Sequence, residues 1–197
     1  DRIYTMMGSG LFRASDLSKG EINIDDFRSW GQKKFDNKNG FVLVSNEGMS
    51  EVTPATIQGK IDQHKLDLVI LDYHQLFSDN KKSMGATERN MNISREFKML
   101  AMTNNIPIID ITAATMDDVS DQDNPPMLSQ VAWSKAIEYD ADMAIAIHKY
   151  TGTNMIEVVS RKNRHGQEFG MYLDWDINRG LVKEIYENPF ANDSSKN

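Results

Sequence analysis

The stretch over residues 66–76, Leu-Asp-Leu-Val-Ile-Leu-Asp-Tyr-His-Gln-Leu, constrains the fold of this chain most strongly. Its four consecutive apolar residues, at positions 68–71, are too few for a helix and too continuous for a strand with one wet face. We therefore predict a strand that is buried on both faces and central in a parallel sheet. The apolar run stops at Asp72, which places a carboxylate at the carboxyl end of the predicted strand.

Asp72 has two interpretations from the pattern alone. Open α/β sheets bind ligands at the carboxyl ends of their strands, and in nucleotide-hydrolysing proteins an acid at this place holds Mg²⁺. An aspartate can equally end a strand by capping the next turn. Tyr73, His74 and Gln75 add more hydrogen-bonding side chains than a strand end requires. Because no second histidine lies at a metal-ligand spacing, we predict that His74 is a surface residue.

Length and composition fit one α/β domain. The 197 residues are 40% hydrophobic, which is enough for one substantial core. The chain has no cysteine, no run of membrane-spanning length and no signal-peptide pattern, so we expect a soluble cytoplasmic protein. Its net charge of -7 argues against a generally basic nucleic-acid-binding surface but permits a local basic channel. Because the chain begins at Asp1, without a methionine, we expect an excised piece of a longer protein.

Hydrophobic spacing and capping residues predict the elements before Asp72. We expect a helix over residues 2–12, a turn over residues 16–21 and a short strand over residues 41–44. Asn23 should cap a helix that buries Ile24, Phe27 and Trp30. Thr53-Pro54 is a good start for the helix that leads to the Asp72 strand.

After Asp72 we expect a polar loop over residues 78–85, a helix capped by Thr87 and a strand over residues 106–111. An exposed acidic loop over residues 117–126 and a helix over residues 127–139 should follow. The last predicted strands cover residues 143–147, 155–159 and 169–175. The chain thus divides into a helical region over residues 1–40, a core with the sheet over residues 41–187 and a disordered tail over residues 188–197.

A basic segment between the last two predicted strands is a second candidate site. Arg161, Lys162, Arg164 and His165 lie at a β-turn that is closed by Gly166. Composition favours a solvated hairpin tip. The functional interpretation is that Lys162 and Arg164, two residues apart and therefore on one side of an extended strand, reach toward a phosphate.

Two further positions carry weaker signals. Thr112 and Thr115, at the end of the strand over residues 106–111, could sense a phosphate or hold water, although threonine is common at strand ends. Trp133 and Lys135 could stack on and pair with single-stranded nucleic acid, although a core tryptophan is at least as good an interpretation.

Taken in order, these segments resemble the RecA-like motor domain of DnaB-type replicative DNA helicases, including their phage relatives. Residues 68–76 resemble the family's Walker B strand and the Asp-Tyr-x-Gln-Leu that follows it, and residues 105–109 resemble the next core strand. Residues 137–142 resemble the segment that leads to the strand after the DNA-binding loop. Residues 162–166 are similar to the family's Lys-x-Arg-x-Gly hairpin, and residues 18–27 match its helical linker.

The resemblance implies an α/β fold, namely a RecA-like P-loop NTPase core with a mostly parallel central sheet, helices on both faces and a C-terminal antiparallel hairpin. It implies an ATP-dependent enzyme that translocates on single-stranded DNA as a homo-oligomeric, hexameric ring, with a primase or helicase loader as a further partner. Asp72 would bind Mg²⁺ on ATP, and Gln75 would couple this site to neighbouring groups. Thr112 and Thr115 would lie beside the nucleotide.

The resemblance also assigns the cations. Lys162 and Arg164 would act in trans, reaching the γ-phosphate that the adjacent subunit holds. Lys135, with the loop from Ser129, would face DNA in the central channel. Further candidates for contact with DNA are Trp133, Lys81 and Lys82. Because such contacts are mainly to phosphates, binding would depend on salt and largely not on sequence.

The sequence departs from the family's pattern in several places. It contains no Gly-x-x-x-x-Gly-Lys-Ser/Thr loop, and the family's catalytic glutamate is expected upstream of Asp1. Residues 112–115 stand where the family has a sensor glutamine, and Ala132 stands where it has an arginine in the DNA loop. We therefore expect the chain alone to be inactive as an ATPase. The alternatives are another RecA-like ATPase, of the recombinase or clock type, and a non-catalytic interaction module that keeps the fold.

Overall fold

The computed structural model describes residues 8, 10–35, 40–49, 51–79, 85–114, 124–131 and 134–186. These residues form five α-helices: α1 (Ala14–Lys19), α2 (Ile24–Phe35), α3 (Pro54–His64), α4 (Ala86–Asn104) and α5 (Ser134–Asp140). They also form two single turns of 3-10 helix, His74–Leu76 and Leu128–Gln130.

Two helices begin where their capping residues predict. At the start of α3, the Thr53 hydroxyl accepts a hydrogen bond from the backbone N–H of Thr56, whose own hydroxyl accepts one from the backbone N–H of Thr53. Before α2, Asn23 Oδ1 accepts from the backbone N–H groups of Asp25 and Asp26 at 2.9 and 3.2 Å. Both predicted helix starts are confirmed.

A parallel pair of strands positions Asp72. Strands β1 (Val69–Asp72) and β2 (Ile108–Ile111) pair in parallel, with Val69 opposite Ile108 and Asp72 opposite Ile111. Helix α4 connects them and packs with α3 against one face of β1. The buried core of this unit consists of Ile61, Val69, Leu71, Phe77, Ile93 and Phe97.

The second sheet is antiparallel and contains four strands in chain order: β3 (Met143–Lys149), β4 (Met155–Asn163), β5 (Gly170–Asp176) and β6 (Leu181–Ile185). The predicted hairpin between β4 and β5 is therefore present, whereas β6 has no counterpart among the predicted strands. The parallel pair, the helices and this antiparallel sheet together form an α/β fold, as the sequence predicts.

Two predicted strands differ from the structure. Strand β1 is buried on one face only, since Val69 and Leu71 are buried whereas Ile70 is 59% exposed. Residues 41–44 form no strand, and Leu43 is 72% exposed. An apolar run becomes a strand only where a neighbouring strand accepts and donates its backbone hydrogen bonds. Within the described residues, no strand pairs with residues 41–44.

The helical predictions need corrections near the start of the chain. The sequence predicts a turn over residues 16–21, but residues 16–19 belong to α1, and Gly20 follows its end with a left-handed φ of 72°. Residues 10–12, the described end of a predicted helix, form a turn and a bend. In α2, Ile24 is exposed, whereas Phe27 and Trp30 pack with the ring of Phe12.

Two later helices also differ. The predicted helix over residues 127–139 is divided into the 3-10 turn Leu128–Gln130 and the shorter α5. Helix α4 begins two residues earlier than predicted, with Gly85 rather than Thr87 as its cap residue. The difference at α4 lies in its first turn, where the bounds of a helix vary by one or two residues with the criterion used.

Several predictions fall outside the described residues, namely those on Lys81, Lys82, Thr115, Trp133, most of the acidic loop and the tail over residues 188–197. The division into residues 1–40, 41–187 and 188–197 stays a prediction. In the described part of the chain, no helix has both the length and the apolar character that crossing a membrane requires.

Candidate active site

The carboxyl end of β1 presents Asp72 to solvent. Its side chain lies at the level of Ile111, the last residue of β2, because the two parallel strands end together. The peptide bond between Asp72 and Tyr73 is cis, and the 3-10 turn His74–Leu76 follows directly. The residues that this edge brings together, Asp72, His74, Gln75, Asp110 and Thr112, are called the strand-end site below.

His74 is buried, with 1% of its surface exposed, so the prediction of a surface histidine is wrong. Its Nδ1 lies 2.5 Å from Oδ2 of Asp110 on β2. Because an ionised carboxylate only accepts hydrogen bonds, Nδ1 carries the proton and donates it. The ring also packs edge-on against Phe97 of α4, at 6.1 Å between ring centroids. His74 therefore joins the ends of both parallel strands to the helix beneath them.

Gln75 and Thr112 form a second link between the two strand ends. Gln75 Nε2 donates to Thr112 Oγ1 at 3.3 Å. Gln75 Oε1 is buried, and no hydrogen-bond donor among the described residues reaches it. A buried acceptor of this kind can bind a water molecule or a donor group of a ligand. The two predicted site residues Gln75 and Thr112 thus lie in direct contact.

The chemistry of Asp72 fits a magnesium ion. Mg²⁺ is usually held by one or two carboxylates, with substrate phosphates and water as its remaining ligands. Asp72 supplies one exposed carboxylate at a sheet edge where such a ligand set can assemble. Within the described ranges, no group of three or more histidine, aspartate or glutamate side chains forms a ready-made metal site. An ion at Asp72 would therefore need further ligands, such as water molecules or substrate phosphates.

The basic hairpin packs against the end of α5. Lys162 Nζ donates to the carbonyl oxygens of Glu138 and Ala141, at 2.5 and 2.6 Å. Arg164 donates from Nη2 to the carbonyl oxygen of Tyr139 at 2.9 Å and from Nη1 to Asp142 Oδ1 at 3.1 Å. Helix ends expose carbonyl groups without intrahelical partners, so they attract cations.

Asp142 has a second cationic partner on α4. Lys98 Nζ lies 2.6 Å from Asp142 Oδ2, and one helical turn earlier Ser94 Oγ donates to Asp140 Oδ2 at 2.9 Å. Because Ser94 and Lys98 are four residues apart, they share one face of α4. The residues Lys98, Asp142, Lys162 and Arg164 are called the hairpin cluster below.

Electrostatics in the hairpin cluster follow from these contacts. The hydrogen bond from Lys98 lowers the pKa of the Asp142 carboxyl, and the positive charges of Lys98, Arg164 and His165 act in the same direction. Burial lowers the pKa of Lys162, and the nearby charge of Arg164 adds to this effect. The contacts in the cluster therefore favour the ionised form of Asp142. They disfavour the charged form of Lys162 relative to a lysine in water.

The turn of the hairpin depends on Asn163 and Gly166. Asn163 Nδ2 donates to the carbonyl oxygen of Gln167 at 2.8 Å. A Cβ atom on residue 166 would lie 2.9 Å from that same Nδ2, so a side chain there would displace the amide of Asn163. The glycine in the Lys-x-Arg-x-Gly pattern thus leaves room for the asparagine that fixes the turn.

Two other cations that the sequence analysis names, Arg161 and Lys135, lie outside the hairpin cluster. Arg161 donates to the carbonyl oxygens of Pro125 and Pro126, at 2.6 and 3.0 Å, so it holds the end of the acidic loop rather than pointing from the hairpin tip. Pro125 is buried, although the sequence predicts exposure for the whole loop. Lys135 is exposed on α5, the helix whose other end carries the hairpin cluster.

Sequence reasoning missed three residues of these sites, namely Asp110, Lys98 and Asp142. The spacing of Ser94 and Lys98 on one helical face, and the acidic pair Asp140 and Asp142, were the available signals. Neither signal identifies its partner, because the contacts join segments more than 40 residues apart.

Comparison with known proteins gives consistent matches. Residues 5–179 match the family model described as "DnaB-like helicase C terminal domain". The replicative DNA helicase DnaB of Helicobacter pylori (strain ATCC 700392 / 26695) is 36% identical over 179 residues, which cover 86% of this chain and 36% of that protein. The replicative DNA helicase DnaC of Bacillus subtilis (strain 168) is 26% identical over 178 residues, which cover 82% of this chain and 38% of that protein.

A probable plasmid replicative DNA helicase of Chlamydia trachomatis is 32% identical over 116 residues, which cover 58% of this chain and 25% of that protein. The chain therefore spans between a quarter and two fifths of the length of these relatives.

Solved structures confirm the RecA-like fold. The ATPase domain of G40P superimposes with a TM-score of 0.78 at 21% identity, covering 93% of this chain and 69% of that one. A DnaB-like replicative helicase, described with its interactions with primase, gives 0.75 at 21% identity and covers 91% of this chain and 46% of that one. The RadB recombinase gives 0.51 at 17% identity, covering 93% of this chain and 72% of that one.

Proposed function

Because the chain belongs to the family of DnaB-like helicase C-terminal domains, we propose that it is part of the ATP-driven motor of a replicative DNA helicase. The longer protein that would contain it is called the parent below. The observation that carries this proposal is the strand-end site, where an exposed Asp72 lies beside the linked side chains of Gln75 and Thr112. This arrangement supports a magnesium nucleotide at the edge of a parallel sheet.

The proposed reaction is hydrolysis of ATP with Mg²⁺. Asp72 would bind the ion, which supplies charge neutralisation on the phosphates when it is bound. Gln75 would couple this site to neighbouring groups, Thr112 would sense the phosphate end of the nucleotide, and Thr115 belongs to the same predicted set. The 197 residues contain no Gly-x-x-x-x-Gly-Lys-Ser/Thr loop, so the phosphate cradle would come from another part of the parent, and the chain alone would not hydrolyse ATP.

Lys162 and Arg164 would complete the site of a neighbouring subunit in a ring, which we propose is a homohexamer. Cations that reach a γ-phosphate in this way stabilise the charge of the transition state. In the structure both side chains contact their own subunit, so the proposal requires that at least one of them change partners.

Translocation on single-stranded DNA is the proposed use of the hydrolysis. Lys135 is exposed on α5, in keeping with a contact to phosphate, and Trp133, Lys81 and Lys82 remain predicted contacts. A primase or a helicase loader would be a further partner, and the process would take place in the cytoplasm of a bacterial or phage-infected cell. The more distant likeness to RadB concerns the fold alone and gives no reason to prefer a recombinase.

The test is hydrolysis of ATP and displacement of a DNA strand by the purified parent. We expect single-stranded DNA to stimulate hydrolysis, and Asp72→Asn to abolish it. Asp67→Asn is the matched control, because Asp67 is an exposed carboxylate at the amino end of the same strand, and it should leave the rate unchanged. A parent that binds DNA but hydrolyses no ATP would support the non-catalytic alternative. Normal turnover in the Asp72→Asn protein would remove Asp72 from the site.

A further inference from the structure

We propose that Asp142 is a positioning residue that keeps Arg164 docked on its own subunit, and that Lys98 weakens this hold by competing for the same carboxylate. The inference rests on the proposed hydrolysis, because it concerns when Arg164 becomes available to a phosphate of the neighbouring subunit. It predicts that changes of Asp142 and of Lys98, which contact each other, have opposite effects on the rate of hydrolysis.

The docking of Arg164 involves both its backbone and its side chain. The backbone N–H of Arg164 donates to the carbonyl oxygen of Asp142 at 2.8 Å, and Nη1 donates to Oδ1 of the same residue at 3.1 Å. Nη2 donates to the carbonyl oxygen of Tyr139 at 2.9 Å. Two hydrogen bonds therefore hold the guanidinium and a third holds the backbone of Arg164, all on residues 139–142 at the end of α5 and before β3.

Lys98 shares the carboxylate with Arg164. Its Nζ lies 2.6 Å from Oδ2, the oxygen that Arg164 does not use, and the Asp142 side chain is about half exposed. A carboxylate that is paired with one cation attracts a second cation less strongly than a free carboxylate does. Removing the ammonium of Lys98 should therefore strengthen the attraction of Asp142 for Arg164.

The two cations of the hairpin differ in how they are held. Lys162 donates to the carbonyl oxygens of Glu138 and Ala141. These oxygens belong to the backbone and do not titrate, so they accept hydrogen bonds at any pH. Arg164 is held by one backbone carbonyl oxygen and by an ionised side chain at the surface, and exposed ion pairs are weak. Arg164 is therefore the cation that can leave its position, whereas Lys162 fastens the base of the hairpin to α5.

Release of Arg164 is required by its proposed role. In the proposed role, Arg164 exchanges its contact with Asp142 for a contact with a phosphate of the neighbouring subunit, and a doubly charged phosphate is the stronger acceptor. Asp142 then sets how much Arg164 is available before the neighbour binds nucleotide. The role is one of positioning, because Asp142 itself would touch neither the nucleotide nor the metal.

The activity test compares Asp142→Asn with Lys98→Ala in the full-length parent, with and without single-stranded DNA. Because exposed pairs are weak, each change should alter the rate without DNA by about two- to fivefold. We expect Asp142→Asn to raise this rate and to reduce the stimulation by DNA, and Lys98→Ala to lower it. Two variants that shift the rate in the same direction, as a merely structural role predicts, would overturn the inference.

A measurement of hairpin mobility gives a readout without catalysis. The 197-residue chain contains no cysteine, so Gln167→Cys introduces a single thiol on the exposed hairpin, which can carry a spin label. Asp142→Asn should increase the mobility of the label, and Lys98→Ala should leave it unchanged or reduce it. Equal mobility in the Asp142→Asn and unmodified chains would contradict docking by Asp142.

The two proposals fail in different ways. If the unmodified parent hydrolyses no ATP under any condition, the proposed function is wrong and this inference falls with it. If the parent hydrolyses ATP and responds to DNA, but both variants lower the rate equally, only the role of Asp142 is wrong. The melting temperature of each variant should lie within a few degrees of that of the unmodified protein. This control shows that the rates are compared on folded molecules.

Discussion

In the strand-end site, Asp110 binds a histidine that is 1% exposed, whereas in the hairpin cluster Asp142 binds two cations and is itself about half exposed. The first contact joins neighbouring strands of one sheet and is shielded from solvent on the side of His74. The second joins a helix, a loop and a hairpin at the surface. A buried hydrogen bond is costly to leave unmade, whereas a surface ion pair exchanges partners easily.

This difference suits different tasks. The strand-end site would need fixed geometry, because a metal ligand and a phosphate sensor must stay at set distances from one nucleotide. The hairpin cluster would need to give up a cation to a neighbouring subunit. The same chain thus contains one half-site with fixed geometry and one that can release a cation. The predictions below compare the two.

The largest expected effect belongs to Arg164. In the parent, Arg164→Ala should lower the rate of ATP hydrolysis by about 10³-fold or more, because a trans-acting cation stabilises the transition state rather than the bound nucleotide. Nucleotide affinity, measured by equilibrium binding, should change little. Normal turnover in this variant would remove Arg164 from the reaction.

Mixing two inactive variants shows whether Arg164 acts in trans. Rings assembled from Arg164→Ala and Asp72→Asn subunits contain some interfaces at which an intact Arg164 faces an intact Asp72. Hydrolysis should therefore recover partly in the mixture, although each variant alone is inactive. No recovery, in rings shown to exchange subunits, would place both residues in the same subunit's site.

The second effect concerns the contact between Asp110 and the buried His74. Asp110→Ala removes the acceptor of His74 Nδ1, which should lower the free energy of unfolding by about 1–3 kcal/mol. Asp110→Asn is the matched control, because it keeps an oxygen acceptor and should cost less. Urea unfolding of the 197-residue chain measures both. Equal stability of the Ala variant and the unmodified chain would show that the contact contributes little.

The sequence predicted the parts of each site that depend on neighbours along the chain. The polar end of β1, the hairpin and the start of α3 all follow from runs, turns and caps within about ten residues. The burial of His74 does not, because nothing near it indicates that Asp110, 36 residues later, supplies an acceptor. Strand register decides that contact, and register is a property of two segments together.

The same limit explains the other misses. Residues 41–44 have the composition of a strand, yet within the described part of the chain they lie beside no strand that could complete their hydrogen bonds. Asp142 follows the short helix α5 and looks like an ordinary surface acid until Lys98 and Arg164 are brought to it. Sequence patterns therefore identified the candidate ligands and cations, but not the residues that position them.

Salt should affect the contribution of the two regions to stability differently. Raising NaCl from 0.05 to 0.5 M shortens the distance over which exposed charges interact, but affects buried contacts little. The destabilisation by Asp142→Asn should be at most about 1 kcal/mol at low salt and should shrink at high salt. The destabilisation by Asp110→Ala should change less, because the ring of His74 is buried. Equal salt dependence of the two variants would show that the regions do not differ in the proposed way.

The smallest effect is the pH dependence of the hairpin cluster. The pKa of Asp142 in the folded chain lies below its ordinary value of 3.8, chiefly because Lys98 donates a hydrogen bond to the carboxylate. Between these two values the unfolded state binds more protons, so the stabilisation is present above about pH 3.8 and is lost as the pH falls through the folded-state pKa.

The free-energy difference between the unmodified chain and Asp142→Asn should therefore be flat from pH 7 to pH 5. It should amount to a few tenths of a kcal/mol, since the pair is exposed, and it should shrink at lower pH. Urea titrations of both chains across this range measure it, with Asp67→Asn as the control carboxylate that contacts none of the three cations of the hairpin cluster. A difference that grows as the pH falls would mean that the ionised Asp142 destabilises the fold, and that the docked Arg164 is held by the carbonyl oxygens alone.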